Sequence, residues 1–278
     1  MGLLRVIMIG DVVGEPGLEA LDRKLPGLIR EYNADFVVVN GENTADGFGM
    51  TEAAFKRILA AGADVVSSGN HVWEKRDFWP LLEADQRILR PANYPPGSPG
   101  RGWVRVEKIS ADDPASPVSW MVINLQGRDL MPLTNCPFRT FDALTGYPTE
   151  VPLPPVPEGE REGVDIRLVD FHAEATREKE SLAFYLDGRV SLVAGTHTHV
   201  QTADERILPQ GTAYITDLGM TGVGDGIIGM DPQICLNRAR TQVAYRMECA
   251  QGAAFIQGVV AEIDRETGKA LSINRIRQ

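Results

Sequence analysis

Short apolar runs alternate with amphipathic stretches through the first quarter of the chain. LRVIMIG at 4–10 has the length and β-branched content of a buried strand. Residues 17–32, GLEALDRKLPGLIREY, carry helical spacing, and Pro26 predicts a kink or break there. DFVVVNGEN at 35–43 predicts a second buried strand running into a polar turn. TEAAFKRILAAG at 51–62 predicts a helix with Thr51 as N-cap and Gly62 as its stop. ADVVSSGNH at 63–71 predicts a third strand. Strand, helix, strand, helix, strand is the pattern of a parallel α/β sheet.

The middle of the chain changes character. Residues 101–110 and 117–125 read as a strand pair around the turn-rich ADDPASP. Residues 127–163 are proline-rich and charged without a sustained period, which predicts an irregular surface lobe, helical near 138–145 and mobile at 148–162. The α/β pattern then resumes with a strand at 165–174, a helix at 174–186, and strands at 191–199 and 212–219. A loop rich in Gly and Asp is expected at 219–231. Residues 241–249, 253–264 and 270–276 read as antiparallel strands, with TGK at 267–269 as a turn. The whole, residues 1–278, is expected to form a single α/β domain carrying the 127–163 lobe.

Composition narrows the function. Apolar residues make up 43% and charged residues 24%, which suits a packed globular protein. The net charge of −10 argues against a broad basic face for long nucleic acid, because such binding needs many Lys and Arg to displace counterions. A small phosphorylated substrate stays open, since metal ions can supply local positive charge. Three cysteines, Cys136, Cys235 and Cys249, form no CxxC pair, so a disulfide scaffold or thiolate zinc site is not expected and a cytoplasmic location is. No apolar run approaches the roughly 20 residues of a membrane helix. The opening MGLLRVIMIGD meets Asp11 too early for a secretory apolar region, and Val6 stands where a myristoylation signal needs Ser or Thr.

The polar residues that carry chemistry cluster at the strand ends. The first strand ends in Asp11, the second in Glu42 and Asn43, and the third in Asn70 and His71. The strand at 165–174 carries His172, and the strand at 191–199 carries His197 and His199. Ligands of α/β sheets bind outside the carboxyl ends of the strands, so these motifs should converge on one rim. The set holds all four histidines of the chain. Its oxygen and nitrogen donors, without thiolate, suit two hard or borderline divalent ions; Fe, Mn and Zn all fit and availability decides among them, with Fe or Mn the pair expected. GDVVGEPG lacks both G-x-G-x-x-G and a Walker lysine, which excludes a nucleotide P-loop.

In this order, GD at 10–11, NGEN at 40–43, GNH at 69–71, DFHAE at 170–174 and GTHTH at 195–199 resemble the calcineurin-type metallophosphoesterases. More narrowly they resemble a bacterial YmdB-like branch of cyclic-nucleotide phosphodiesterases. The resemblance extends through GDVVG, NGENTADGFGM, GNHVW, DFHAEATREK, GTHTHVQTAD and TDLGMTG. It implies a two-sheet sandwich flanked by helices. It also implies one metal held by Asp11, Glu42, Asn43 and His199, and a second held by Glu42, Asn70, His172 and His197. Glu42 would bridge them, and His71 would stay off the metals. Two departures from the wider superfamily stand out: Val13 replaces the histidine of its D-x-H motif, and Glu42 replaces the usual bridging Asp, with Asn43 beside it. The narrower branch shares both.

The function expected on these grounds is hydrolysis of a small phosphodiester, a 2′,3′- or 3′,5′-cyclic nucleotide, by a metal-bridging hydroxide, with His71 protonating the leaving alkoxide. The alternatives are a phosphomonoesterase, such as a nucleotidase or protein phosphatase, and a metal-stabilised binding protein without turnover. A homo-oligomer is left open. Tyr94 and Arg128 are further residues that could touch substrate. For Asp217 a plain turn role is the favoured expectation.

Overall fold

A computed structural model describes residues 2–110, 113–146 and 166–278. In chain order its elements are β1 (Leu3–Ile9), β2 (Asp11–Val12), α1 (Gly14–Tyr32), β3 (Phe36–Asn40), α2 (Glu52–Ala60), β4 (Val65–Ser67), α3 (Trp79–Ala84), β5 (Trp103–Ser110) and β6 (Asp113–Gln126). Next come α4 (Pro137–Thr145), β7 (Ile166–His172), α5 (Thr176–Leu186), β8 (Leu192–Thr196), β9 (Arg206–Ile207), β10 (Ala213–Ile215) and β11 (Met220–Val223). The chain closes with α6 (Pro232–Thr241), β12 (Ala254–Phe255), β13 (Gln257–Asp264) and β14 (Ala270–Arg277).

Two sheets carry the fold. One has strand order β14-β13-β1-β3-β4, and the other β5-β6-β7-β8-β10-β9. β1, β3 and β4 run parallel, as do β6, β7, β8 and β10, so their carboxyl ends emerge together. The facing sides of the sheets share one buried core. Val6, Met8, Phe36 and Val38 come from the first sheet, and Trp120, Val122, Leu168 and Leu192 from the second. Phe36 stacks on Trp120 at a centroid distance of 4.7 Å. The outer face of the first sheet buries α1 and α2 through Leu18, Leu21, Leu25, Phe55 and Ile58. The outer face of the second buries α4 and α5 through Phe141, Leu182 and Leu186. The result is the expected two-sheet sandwich flanked by helices.

Several expectations need correction. α1 passes through Pro26 without a break and begins at Gly14, three residues earlier than the spacing predicts. A proline inside a helix costs about 3 kcal/mol. Burying Leu18, Leu21, Leu25 and Leu28 on the sheet gains about 1.5–3 kcal/mol each, which outweighs it. Thr51 caps α2 as predicted, accepting from Ala54 N–H, and Gly62 stops it as predicted, at φ +112° just past the C-cap Ala61. The 219–231 segment is not all loop: β11 pairs with β2 and β12 in a small third sheet. The predicted strand at 241–249 is absent. In its place α6 ends at Thr241, held at its start by Asp231 accepting from Ile234 N–H, with Pro at its first turn. Within the expected irregular lobe, α4 matches the predicted helix near 138–145; the stretch at 148–162 lies outside the described residues. The three cysteines are free. Among the described residues no helix is long and apolar enough to cross a membrane.

Candidate metal centre

Asp11, Glu42, Asn43, Asn70, His71, His172, His197 and His199 all stand at or just past the ends of parallel strands, and the parallel registers bring them to one rim. Their immediate geometry centres on His172 Nε2. It lies 2.8 Å from Glu42 Oε1, 3.0 Å from Asn70 Oδ1 and 3.0 Å from His197 Nδ1. Among the described residues, Glu42, His172 and His197 form a group whose ligand atoms lie within 4.8 Å of one another.

Hydrogen bonds fix which ring nitrogens carry protons. Asp170 is buried and accepts from Asn40 Nδ2 at 3.0 Å, from Ser67 Oγ, and from Thr196 Oγ1 at 2.7 Å. Thr196 spends its proton on Asp170, so its oxygen accepts from His172 Nδ1 at 3.0 Å. His172 Nε2 is thereby the nitrogen that faces Glu42, Asn70 and His197, and a metal would bind there by displacing its proton. Glu174 Oε2 sits 3.2 Å from His197 Nε2, and His197 Nδ1 accepts from His172 Nε2 at 3.0 Å. His199 Nδ1 donates to the Ile228 carbonyl at 2.9 Å, leaving Nε2 bare. Three histidines thus turn one ring nitrogen each toward the rim.

Backbone constraints explain the sequence around these groups. A Cβ at position 69 would lie 2.1 Å from the His172 ring, so only glycine lets Asn70 and His172 meet. His197 and His199 both have positive φ, 98° and 65°. Such conformations are uncommon for non-glycine residues and cluster at functional sites. The turn is braced from below by Lys179 and Asp217, a buried pair 2.6 Å apart. Lys179 also donates to Thr196 O, while Asp217 accepts from the N–H and hydroxyl of Thr198. Asp217 fills the turn role expected of it, accepting from Gly219 N–H at 2.9 Å, and is a structural brace besides.

Charges at the rim are strongly perturbed. Burial pushes the Asp11 carboxyl up to about 6, with Glu42 and Asp217 adding to the rise against His199 and His172. Burial also acts to raise Glu42, but the charge and hydrogen bond of His172 override it and hold Glu42 at about 2. Burial acts to lower His172, and Glu42, Asp11 and Asp170 together raise it to about 9. Burial and the neighbouring His172 charge depress His197 to about 3. A cation on Nε2 of His172 would compete with the proton that Glu42 stabilises.

The donor set fits divalent metal. Asp11 Oδ1 and Asn43 Oδ1 are buried and have no hydrogen-bond partner. Asn43 donates from its amide nitrogen to Gly47 O at 2.9 Å, which turns its oxygen away from that bond. Leaving a buried acceptor unsatisfied costs about 1–3 kcal/mol, and a cation removes that cost. His71 is adjacent to this centre but outside the Glu42–His172–His197 group. Its backbone N–H donates to Glu42 Oε2 at 3.2 Å, its Nδ1 lies 3.5 Å from Glu74 Oε1, and its ring meets Phe48 edge-on at 5.0 Å. Tyr94 donates to Gln126 Oε1 at 3.0 Å and packs edge-on against Trp73. Asp170, Thr196, Lys179 and Glu174 are the supporting groups that strand-end motifs alone do not single out.

A family model described as YmdB-like protein matches residues 7–276. A Bacillus subtilis 2′,3′-cyclic-nucleotide 2′-phosphodiesterase is 43% identical over 273 residues, covering 98% of this chain and 96% of the relative. The crystal structure of a Mycoplasma pneumoniae protein described as a novel phosphatase superposes with a TM-score of 0.87 at 31% identity, covering 100% of this chain and 94% of that one. The calcineurin-like phosphoesterase YfkN from Bacillus subtilis shares the fold at a TM-score of 0.57 and 12% identity, over 99% of this chain and 90% of that one.

Proposed function

The chain belongs to the YmdB-like family and is a phosphoesterase, and from that premise we propose that it is a two-metal phosphodiesterase acting on small cyclic nucleotides, 2′,3′-cyclic ones foremost. One observation carries the reading: the Glu42 carboxylate meets His172, beside Asn70 and His197, while Asp11, which feels the Glu42 charge, and Asn43, its chain neighbour, keep buried oxygens without a hydrogen-bond partner. Asp11, Asn43 and His199 would hold one divalent ion and Asn70, His172 and His197 the second, with Glu42 shared. Fe and Mn suit these oxygen and nitrogen donors, as does Zn. Such ions supply Lewis acidity toward phosphoryl oxygens and lower the pKa of water.

The remaining steps belong to the chain's own residues. Amide ligands at Asn43 and Asn70 add no negative charge, so the centre keeps a net attraction for an anionic diester in a protein of charge −10. His71 is anchored through its backbone to Glu42 and steered at Nδ1 by Glu74. In this reading its Nε2 carries the proton delivered to the leaving ribose oxygen, a task suited to an imidazole near neutral pH. The 2′,3′-cyclic preference is taken from the name of the Bacillus relative, with 3′,5′-cyclic nucleotides as the second class to try. Description of the Mycoplasma relative as a phosphatase favours a monoesterase reading.

A side-by-side kcat/KM series on Mn- or Fe-loaded protein separates the two. The series comprises 2′,3′-cyclic AMP, 3′,5′-cyclic AMP, bis-p-nitrophenyl phosphate, p-nitrophenyl phosphate and 5′-AMP. The diesters should lead by at least roughly tenfold, about 1.4 kcal/mol of transition-state preference. Monoesters leading every diester by that margin overturn the proposal.

A further inference from the structure

β6 lies parallel to β7 with Gln126 opposite His172, so the turn after β6 emerges on the same rim as the metal centre. That turn is unusually well fixed. Gly127 N–H donates to His172 O at 2.9 Å, and a Cβ at 127 would lie 2.6 Å from both Ala173 Cβ and Glu178 Oε2. Glu178 is buried, yet its carboxylate serves backbone. It accepts from Arg128 N–H at 3.0 and 2.9 Å and from Asp129 N–H at 3.1 Å. The Arg128 guanidinium gains only a long 3.9 Å approach from Nε to the same carboxylate, and its side chain is 41% exposed. Its two Nη groups have no partner among the described residues. Lys179, also tied to this rim, is buried and committed to Asp217 and Thr196 O.

A carboxylate desolvated in order to hold one turn, with a free guanidinium on that turn, is the arrangement expected of an anion-gripping arginine. We infer that Arg128 binds the non-bridging oxygens of the substrate's phosphoryl group and that Glu178 is its positioning residue. The inference rests on the phosphoesterase site proposed above and adds to it the residue that holds the anion from the second sheet. A guanidinium offers two parallel donors to such oxygens, and Lys offers a point charge. Because the grip acts on the phosphoryl group before and during reaction, its loss should raise KM more than it lowers kcat.

The test uses metal-loaded full-length protein and two readouts: kinetics on bis-p-nitrophenyl phosphate, and calorimetric titration with inorganic phosphate. Arg128→Ala should raise KM by roughly 10- to 100-fold, the range of a lost charge-assisted hydrogen bond, and weaken phosphate binding in parallel. R128K should recover part of both. Glu178→Gln should raise KM several-fold. The double variant should be no worse than Arg128→Ala alone, because Glu178 acts only through Arg128. Melting temperatures and metal content of the Arg128 variants should match wild type. Wild-type KM and phosphate affinity in Arg128→Ala overturn the inference, and a Glu178→Gln loss that adds fully to Arg128→Ala overturns the positioning role. If the wild type turns over no phosphodiester, the proposed function fails, and the phosphate titration still decides Arg128 by itself.

Discussion

On the β7–β8 side of the rim, His172 and His197 have both ring nitrogens engaged. Thr196, Asp170 and Glu174 orient them, and the buried Lys179–Asp217 pair braces the turn beneath. On the β1–β3 side, Asp11 and Asn43 each keep a buried oxygen with no partner. The first half is organised by the protein itself, and the second is organised for something that must arrive. The difference also has an energetic side. Side chains that satisfy one another stabilise the fold with or without metal, while unsatisfied buried oxygens cost stability until a cation neutralises them. Glu42 joins the halves, touching His172 through Oε1 and the His71 backbone through Oε2.

The strongest way to break this contrast is to remove the link. Glu42→Gln should abolish activity, by roughly 10³-fold or more, and lower metal content from two ions per chain to below one by elemental analysis. Retention of both ions would separate Glu42 from the bridge. His71→Ala comes next: kcat should fall by roughly 10²–10⁴-fold while both metals stay, since its ring is outside the ligand group. Equal metal loss in His71→Ala and His197→Ala would make His71 a ligand.

Smaller changes sharpen the contrast. Thr196→Val removes the oxygen that fixes the His172 tautomer, and metal affinity on that side should fall by roughly 10- to 100-fold in chelator competition. On the other side, Asp11→Asn should behave in the opposite sense for the metal-free fold. The Asp11 carboxyl has its pKa raised from 3.8 to about 6, so its ionisation opposes folding. That penalty is absent below pH 3.8 and complete above about pH 6. In chelator, the stability of Asp11→Asn relative to wild type should therefore improve across this window, by on the order of 3 kcal/mol. Urea titrations at several pH values measure it, and a flat difference would show that Asp11 is not desolvated at a cost.

The strand-end residues proposed as ligands were legible because they follow apolar runs with polar side chains, and such residues have little reason to succeed buried strands unless the rim does chemistry. Their supports were not. Asp170 sits inside the β7 run and points into the sandwich, where sequence cannot show that Asn40, Ser67 and Thr196 converge on it. Glu178 and Lys179 lie on α5, whose charged sequence reads as a solvated face. Both are buried, one capping the 127–129 turn and the other paired with Asp217. These partners are 38 to 50 positions apart in the chain, beyond any local pattern. The α6 helix was missed for another reason. Its Asp231–Pro232 start is a regular cap signal, but it comes after a glycine-rich segment and buries no residue, so no apolar period announced it.

If Glu42 joins two metal sites of different construction, anomalous diffraction from Mn-loaded crystals will show it directly. Two peaks should flank the Glu42 carboxylate, one contacted by Asp11, Asn43 and His199, the other by Asn70, His172 and His197. A single peak at the His172–His197 side, with Asp11 and Asn43 still unliganded, would contradict it.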